Sequence, residues 1–329
     1  MTTYQLVGIG NAVVDVISQA DDSFLDRMGI EKSIMQLVET DRAELLYGAM
    51  TNRIQTPGGS VANTIAGAGA LGLNTAFIGR VRDDELGHFY ADAMNEDGVD
   101  FVNPPVSGGE LPTSRSMIFV SPDGERSMNT YLGISSELSS ADVSKDVAGK
   151  ARIMFLEGYL FDKDKGKTAF LEAARDCTAA GGKAGIAISD PFCVERHRAD
   201  FLNLIESELD FVIGNEAEIK SLFETDDLEE ALAKTAAICP LVVCTRSGDG
   251  VSVITGEGRI DVPVEKVVPV DATGAGDQFA AGFLFGLATG RDLETCARIG
   301  CLCAREVISH IGPRPEANMQ ALLRAEGLL

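Results

Sequence analysis

Short apolar runs alternate along this chain with longer amphipathic stretches, and no other feature restricts its fold as much. Leu6–Ile9, Ala76–Ile78, Ile153–Leu156, Gly185–Ile188, Phe211–Ile213 and Leu241–Cys244 are apolar at nearly every position. A strand that is apolar on successive residues is buried on both faces. Ser60–Leu71, Glu85–Glu96, Gly166–Ala180 and Asp227–Ile238 lie between these runs and read as helices. The order predicts an α/β fold, a parallel sheet with helices on both faces.

Two stretches break the rhythm. Ile17–Leu37 and Ser114–Tyr131 carry shorter, alternating patterns. Ser116–Val120 reads as a strand, Pro122-Asp-Gly124 as a turn and Arg126–Tyr131 as the returning strand. Such a hairpin has no helix to cover one face. Both stretches are expected to form a small extra sheet over the edge where ligands bind; the alternative is a simple surface hairpin. No internal repeat, low-complexity tract or long linker divides the 329 residues.

Composition excludes several functions. A formal net charge of -22 argues against a nucleic-acid or anionic-membrane partner, which needs clustered Lys and Arg. It leaves room for a small phosphorylated ligand, because backbone amides can hold one locally. The seven cysteines include no CxxC pair and read as buried free thiols in a reducing compartment. Three scattered histidines are too few for a zinc site, and no G-x-S-x-G supports a serine nucleophile. The chain opens on a strand-like run, Tyr4–Ile9, so no signal peptide is expected. Its most apolar segment, Phe279–Ala288, is far shorter than the roughly 20 residues of a membrane span. A cytoplasmic protein is expected.

The chemistry concentrates in Asp271-Ala-Thr-Gly-Ala-Gly-Asp277 and the apolar run behind it. Gly274, Ala275 and Gly276 have little or no side chain, so a phosphate oxygen can approach their N–H groups. The apolar run reads as a buried helix whose first amides point at the same phosphate. Asp277 sits in the first turn, where a carboxylate beside a developing anion makes sense as a proton acceptor. Together they suggest phosphoryl transfer to a hydroxyl; a glycine-rich turn with an Asp cap is the plainer alternative.

Other constellations are weaker singly. Gly58-Gly59-Ser60 precedes a helix of small residues; Ser60 can cap it, and Asn63 could reach a sugar hydroxyl. Gly8-Ile-Gly10-Asn11 resembles a dinucleotide fingerprint but has Val13 where the third glycine belongs, so that cofactor is rejected. Asp15 lies among valines, where a carboxylate wants a partner, either ligand hydroxyls or a protein amide. Asn215 and Glu218 end a strand; they suit Mg²⁺, directly or through water, or a plain capping box. Thr245-Arg246-Ser-Gly248-Asp-Gly250 could hold nucleotide phosphates or turn a hairpin.

These segments, in this order and each just after a strand, resemble the ribokinase (PfkB) family of carbohydrate and nucleoside kinases. The match runs from Gly8 to about Pro315. Asp271–Asp277 resembles the family's second signature, with Ala272 in place of the usual Thr; Gly58–Gly72 resembles the first, and Asn215-x-x-Glu218 the N-x-x-E motif. The resemblance implies one ribokinase-like domain over 1–329: a three-layer α/β/α Rossmann-like body with a small β-sheet lid from about 16–56 and 112–132. It implies ATP and Mg²⁺, with Asp277 as base, the amides of residues 274 to 276 as anion hole, and Thr245 through Gly250 along the nucleotide. Asp271 and Thr273 lie where many relatives bind K⁺. Relatives occur as monomers and as lid-paired homodimers.

Within the family the chain is most similar to the adenosine kinase branch, through Gly10-Asn11-x-x-x-Asp15, Ser23–Asp26, Gln36–Glu39 and Phe211–Glu218. Arg126 resembles a lid arginine that meets the phosphate. Ala12 and Met35 depart from that branch at acceptor-selecting positions. The implied reaction is phosphorylation of the adenosine 5′-OH, a step of purine salvage. Asn11, Asp15, Gly58, Gly59 and Asn63 would hold the ribose, and Leu37, Met35, Met128 and Tyr159 the flat base. A sugar kinase acting on ribose, fructose or a keto-deoxy acid is the first alternative. A non-catalytic ligand-binding regulator on the same scaffold is the second.

Overall fold

The computed structural model describes residues 4–329, with Asp162 described by its backbone alone. The strands begin β1 (Leu6–Ile9), β2 (Val13–Gln19), β3 (Met35–Leu37), β4 (Ile54–Gly58), β5 (Thr75–Ile78), β6 (Val99–Phe101) and β7 (Ser114–Val120). They continue with β8 (Arg126–Tyr131), β9 (Ile153–Glu157), β10 (Lys183–Ala187), β11 (Phe211–Asn215), β12 (Leu241–Thr245), β13 (Val251–Thr255) and β14 (Gly258–Val262). Nine form the main sheet in the order β14-β13-β12-β11-β10-β9-β1-β5-β6, and five form a lid in the order β3-β8-β7-β2-β4.

The main sheet is mixed, not wholly parallel. From β12 to β6 every pairing is parallel, but β13 and β14 return antiparallel at one edge. A single Gly256-flanked turn joins those two strands, so no crossover helix is needed. The apolar runs are buried on both faces as expected. Leu6, Phe155, Ile213 and Val243 enter one core, while their neighbours Val7, Met154, Val212 and Val242 enter the other. Strand periodicity sends successive side chains to opposite faces, so each face receives its own apolar set.

The Ala275–Ala288 helix is buried nearly all round. A Cβ on Gly282 would lie 2.8 Å from Gly300 Cα, and one on Gly286 2.9 Å from Cys296 Cα. That contact with the Leu293–Val307 helix therefore depends on glycine. On its other side, a Cβ on Gly67 would meet Gln278 Oε1 at 2.0 Å, so the Ser60–Ala70 helix also packs at close range. Two glycine-rich helix starts are thereby brought against each other.

The lid differs from expectation in one respect. Ile17–Leu37 is not purely strand: it contains the Asp22–Met28 helix, and Thr40–Ala49 adds a second. These cover the outer lid face, where Val14, Val16, Met117 and Phe119 join Leu25, Ala43 and Leu46 in the core. Phe24 packs on Phe119 with ring centroids 5.4 Å apart. The alternate residues Asp15, Ser116, Met128 and Thr130 line a cavity instead. β1 runs into β2 and β4 into the Ser60–Ala70 helix, so the lid grows directly out of the carboxyl edge of the parallel strands.

Candidate active site

A cavity of about 870 Å³ lies between lid and main sheet. Its floor is the carboxyl edge of the parallel strands: Asn11 after β1, Glu157 closing β9, Asp190 after β10, Asn215 closing β11 and Thr245 closing β12. Open α/β sheets bind ligands at this edge. A second cavity of about 520 Å³ lies beyond, between Thr245–Gly250 and residues 262–269, with Ala275 and Phe279 on its wall. Thr245 and Gly276 line both, so the two meet at the helix start.

Asp277 stands at that junction. Ser60 Oγ donates to its Oδ1 at 2.7 Å and Asn63 Nδ2 to its Oδ2 at 3.2 Å. Burial pushes its carboxyl up to about 6, against the Ser60 and Asn63 hydrogen bonds and the Arg314 charge. Ser60 does not cap its own helix; Gly59 is the cap residue, and the hydroxyl turns to Asp277 instead. Gly274 is the cap of the second helix, at φ 80°, with Pro313 against it. Among the described residues nothing accepts from the amides of Gly274 and Gly276. The Ala275 amide donates to Ala272 O at 3.2 Å, so the cradle rests on the other two. A Cβ on Gly276 would meet no atom within 4 Å, so the cradle is open.

The expected acceptor residues divide into two kinds. Asp15 faces the cavity, and among the described residues no group donates to its carboxylate. Burial pushes it up to about 7, against the charges of Arg314 and Arg126, and the Asp277 charge adds to the rise. Gly58 must be glycine, because a Cβ there would sit 2.6 Å from the Asp15 carboxyl; Gly59 lies against Asn11 O.

Asn11 and Asn63 also line the cavity, but their side chains are engaged. Asn11 Nδ2 donates to Glu157 Oε1 at 2.7 Å and its Oδ1 accepts from Ser135 at 3.0 Å. Asn63 joins Asp277 to Arg314, whose Nε donates to Asn63 Oδ1 at 3.2 Å. Glu157, buried and pushed up to about 7 by that burial, also accepts from Val61 N at 3.0 Å. It thus ties the β1 end to the start of the Ser60–Ala70 helix.

The apolar residues gather on one cavity. Met35, Leu37, Met128 and Tyr159 line the cavity, and Ile34 and Phe192 join them. Leu37 is 53% and Phe192 68% exposed at the mouth, an apolar rim that suits a ligand. Burial raises the Tyr159 hydroxyl far above its ordinary range. Ile34, Phe192, Glu157 and Arg314 carried no sequence signal, since each lies outside a motif.

Two expected residues point elsewhere. Arg246 lines neither cavity; its guanidinium meets Asp261 on β14 at 3.3 Å, because the antiparallel return brings that carboxylate beside it. Thr245, Gly248 and Gly250 do line the second cavity. Arg126 is bound to Asp271 at 2.9 Å rather than lining the cavity.

The donor sets test the expected ions. Asn215 and Glu218 form a reciprocal capping box, with Asn215 Nδ2 donating to Glu218 Oε1 at 2.6 Å and Asn215 N to Oε2 at 2.9 Å. Both still face the cavity, so they fit a hydrated Mg²⁺ held mainly by phosphates, not a direct cage. No group of three or more ligating side chains occurs among the described residues. Asp271 does not fit K⁺ as it stands. Its Oδ1 accepts from Thr273 N and Oγ1 at 3.0 and 2.7 Å, and its Oδ2 from Gly312 N at 3.0 Å. Arg126 already supplies the positive charge there. Against the pull of burial, these hydrogen bonds and that charge hold Asp271 below the usual carboxylate range.

A lidded cavity, an amide cradle and a carboxylate at their junction define a ribokinase-like phosphotransferase. The chain belongs to the pfkB family of carbohydrate kinases, whose pattern matches residues 32–319. Enzymes of this family use ATP and Mg²⁺ and phosphorylate an alcohol. The structure of adenosine kinase from Sinorhizobium meliloti is 45% identical with a TM-score of 0.90, covering 98% of this chain and 99% of that one. A probable sugar kinase protein from Rhizobium etli CFN 42 is 43% identical with a TM-score of 0.92, covering 100% of both. Adenosine kinase 1 of Arabidopsis thaliana is 26% identical over 93% of this chain and 94% of its own length. Among the described residues no helix is long and apolar enough to cross a membrane.

Proposed function

We propose that the protein transfers the γ-phosphoryl group of ATP to the 5′-OH of adenosine. The observation that carries this reading is the placement of Asp15 and Asp277 in one cavity. One carboxylate has no protein donor; the other is held beside open amides at a helix start. Asp15 accepts from the ribose hydroxyls, alongside the Gly58-Gly59 backbone. Asn11 and Asn63 shape the wall from their engaged positions. The flat base lies against Met35, Leu37, Met128 and Tyr159, with Ile34 and Phe192 at the rim.

Asp277 takes the hydroxyl proton as the oxygen attacks phosphorus. The Gly274 and Gly276 amides meet the charge on the transferring group. Thr245, Gly248 and Gly250 run along the nucleotide in the adjoining cavity. Mg²⁺, when bound, neutralises the phosphate oxygens; Asn215 and Glu218 would hold its waters. Arg126 reaches a phosphate only by leaving Asp271. Lid closure excludes water, so ATP hydrolysis without acceptor is small.

The 43% identity to a probable sugar kinase favours a second reading, a sugar acceptor. The test is ADP formation with adenosine, ribose, fructose and a keto-deoxy sugar acid. Adenosine should give the highest kcat/KM. Preference for a sugar moves the assignment to the second reading, and no acceptor-dependent ADP with any alcohol removes both.

A further inference from the structure

Arg314 lies outside every motif, in an irregular segment between the Leu293–Val307 and Met319–Ala325 helices. Its side chain is only 15% exposed. Nε donates to Asn63 Oδ1 at 3.2 Å, one terminal nitrogen meets the Asp97 carboxylate, and the other lies 3.3 Å from Met94 Sδ. A carboxamide has two ends of nearly equal shape, one accepting and one donating. A guanidinium can only donate. It therefore holds the Asn63 oxygen toward itself and leaves Nδ2 facing Asp277 Oδ2, 3.2 Å away. The backbones of this relay are tied together as well. Gln278 Nε2 donates to Asn63 O at 3.1 Å and to Pro313 O at 2.9 Å.

We propose that Arg314 is a positioning residue for phosphoryl transfer: through Asn63 it aims an amide donor at Asp277, and its charge favours the ionised carboxylate. The proposal rests on the reading of Asp277 as the base.

The surroundings of Asp277 make this charge matter. Ser60 and Asn63 face it from the Ser60–Ala70 helix as neutral donors. Asp15 on β2, Glu157 closing β9, Tyr159 just after it, and Glu218 beyond β11 are acids within electrostatic range. Arg314 is the cation that opposes burial at Asp277. Arg126, on lid strand β8, acts on Asp15 and is itself paired with Asp271. A guanidinium also serves Asn63 and Asp97 at once, which the single ammonium of a lysine cannot do in the same geometry.

The test is kcat against pH at saturating ATP, Mg²⁺ and acceptor for the wild type, Arg314→Met and Arg314→Lys. Saturation keeps the titration of Asp15 in the free enzyme out of the profile. Arg314→Met should move the acid limb up by about one pH unit, the effect of losing a nearby opposite charge. Arg314→Lys should leave the limb in place and lower kcat roughly tenfold, because the base is less well held. An unmoved limb in a folded Arg314→Met protein overturns the proposal. Should that variant not fold, wild-type kcat in Arg314→Lys overturns it alone. Near-normal turnover in Asp277→Asn instead overturns the base assignment beneath it, so the two failures are distinguishable.

Discussion

Ser60 Oγ donates to Asp277 Oδ1 over 2.7 Å, joining residues 217 apart in the chain. Ser60 opens its helix behind Gly59, Asp277 lies in the first turn of the helix capped by Gly274, and the two helices pack closely enough for the hydroxyl to reach the carboxylate. The contact links the acceptor side of the cavity to the amide cradle. It also opposes the burial that pushes the Asp277 carboxyl up.

Asp277→Asn keeps the shape and both neighbours while removing the basic oxygen. Turnover should fall roughly 10²–10⁴-fold, the range of general-base catalysis, while the melting temperature at pH 8 should be no lower than the wild type's, since burial raises the Asp277 carboxyl. Single-turnover kinetics beside a thermal melt checks both halves. A variant with normal phosphoryl transfer would show that Asp277 is not the base.

Asp15 carries a buried charge that burdens the fold. Its carboxyl is raised to about 7, so the stability it contributes is present at low pH and lost as pH rises through that value. Asp15→Asn should therefore melt about 2–4 °C higher than the wild type at pH 8, with the difference vanishing near pH 4. The same variant should bind the acceptor much more weakly. Equal or lower melting temperature at pH 8 would mean that some group compensates the charge.

The pH dependence of kcat/KM follows from two raised carboxyls, Asp277 at about 6 and Asp15 at about 7. Both must be ionised for the proposed roles, and both gain protons as pH falls. The acid limb should begin near pH 7 and steepen below pH 6 toward a slope of two. A slope of one throughout would leave only one of them in the reaction.

Gly274 and Gly276 separate folding from chemistry within one turn. Gly274 has φ 80° and Pro313 Cα 2.5 Å from any added Cβ, so Gly274→Ala should cost about 1–3 kcal/mol of stability. Gly276→Ala meets open space, so the fold should hold while, under the proposed reaction, the methyl would obstruct the phosphate and lower kcat. Urea unfolding and kcat together test the contrast. It fails if Gly276→Ala is as unstable as Gly274→Ala.

Removal of Mg²⁺ by EDTA should abolish ADP formation and leave the fold intact, since the capping box of Asn215 and Glu218 is complete without a metal. Glu218→Gln keeps one of the two acceptors of the capping box. It should remain folded yet need more Mg²⁺ for half-maximal activity. An unchanged Mg²⁺ requirement would place the ion elsewhere.

Much of this site was legible in the chain. The 271–277 segment announced an amide cradle with a carboxylate, and Asp15 among valines announced an unpaired charge. The apolar runs marked β1, β5, β9, β10, β11 and β12 to within one or two residues, whereas the three-residue edge strand β6 gave no such run. The first lid helix was missed because Asp22–Met28 is a short element with a single buried residue, Leu25, too little to show a helical period; the second, Thr40–Ala49, buries only Ala43 and Leu46. The antiparallel return into β13 stayed one of two readings, because the signal in Gly248–Gly250 served equally for a phosphate loop and a hairpin turn.

By itself the sequence determined which backbone stretches curl, extend or turn, and which glycines stand at helix starts. Those properties depend on neighbours a few residues away, which a linear pattern records. Tertiary structure alone decided that Asn11 would bond Glu157, that Arg246 would turn to Asp261 and that Arg126 would meet Asp271. It alone set Arg314 behind Asn63. Each of those side chains chose its partner by distance in space, and charges and hydrogen bonds respond to that distance regardless of separation along the chain.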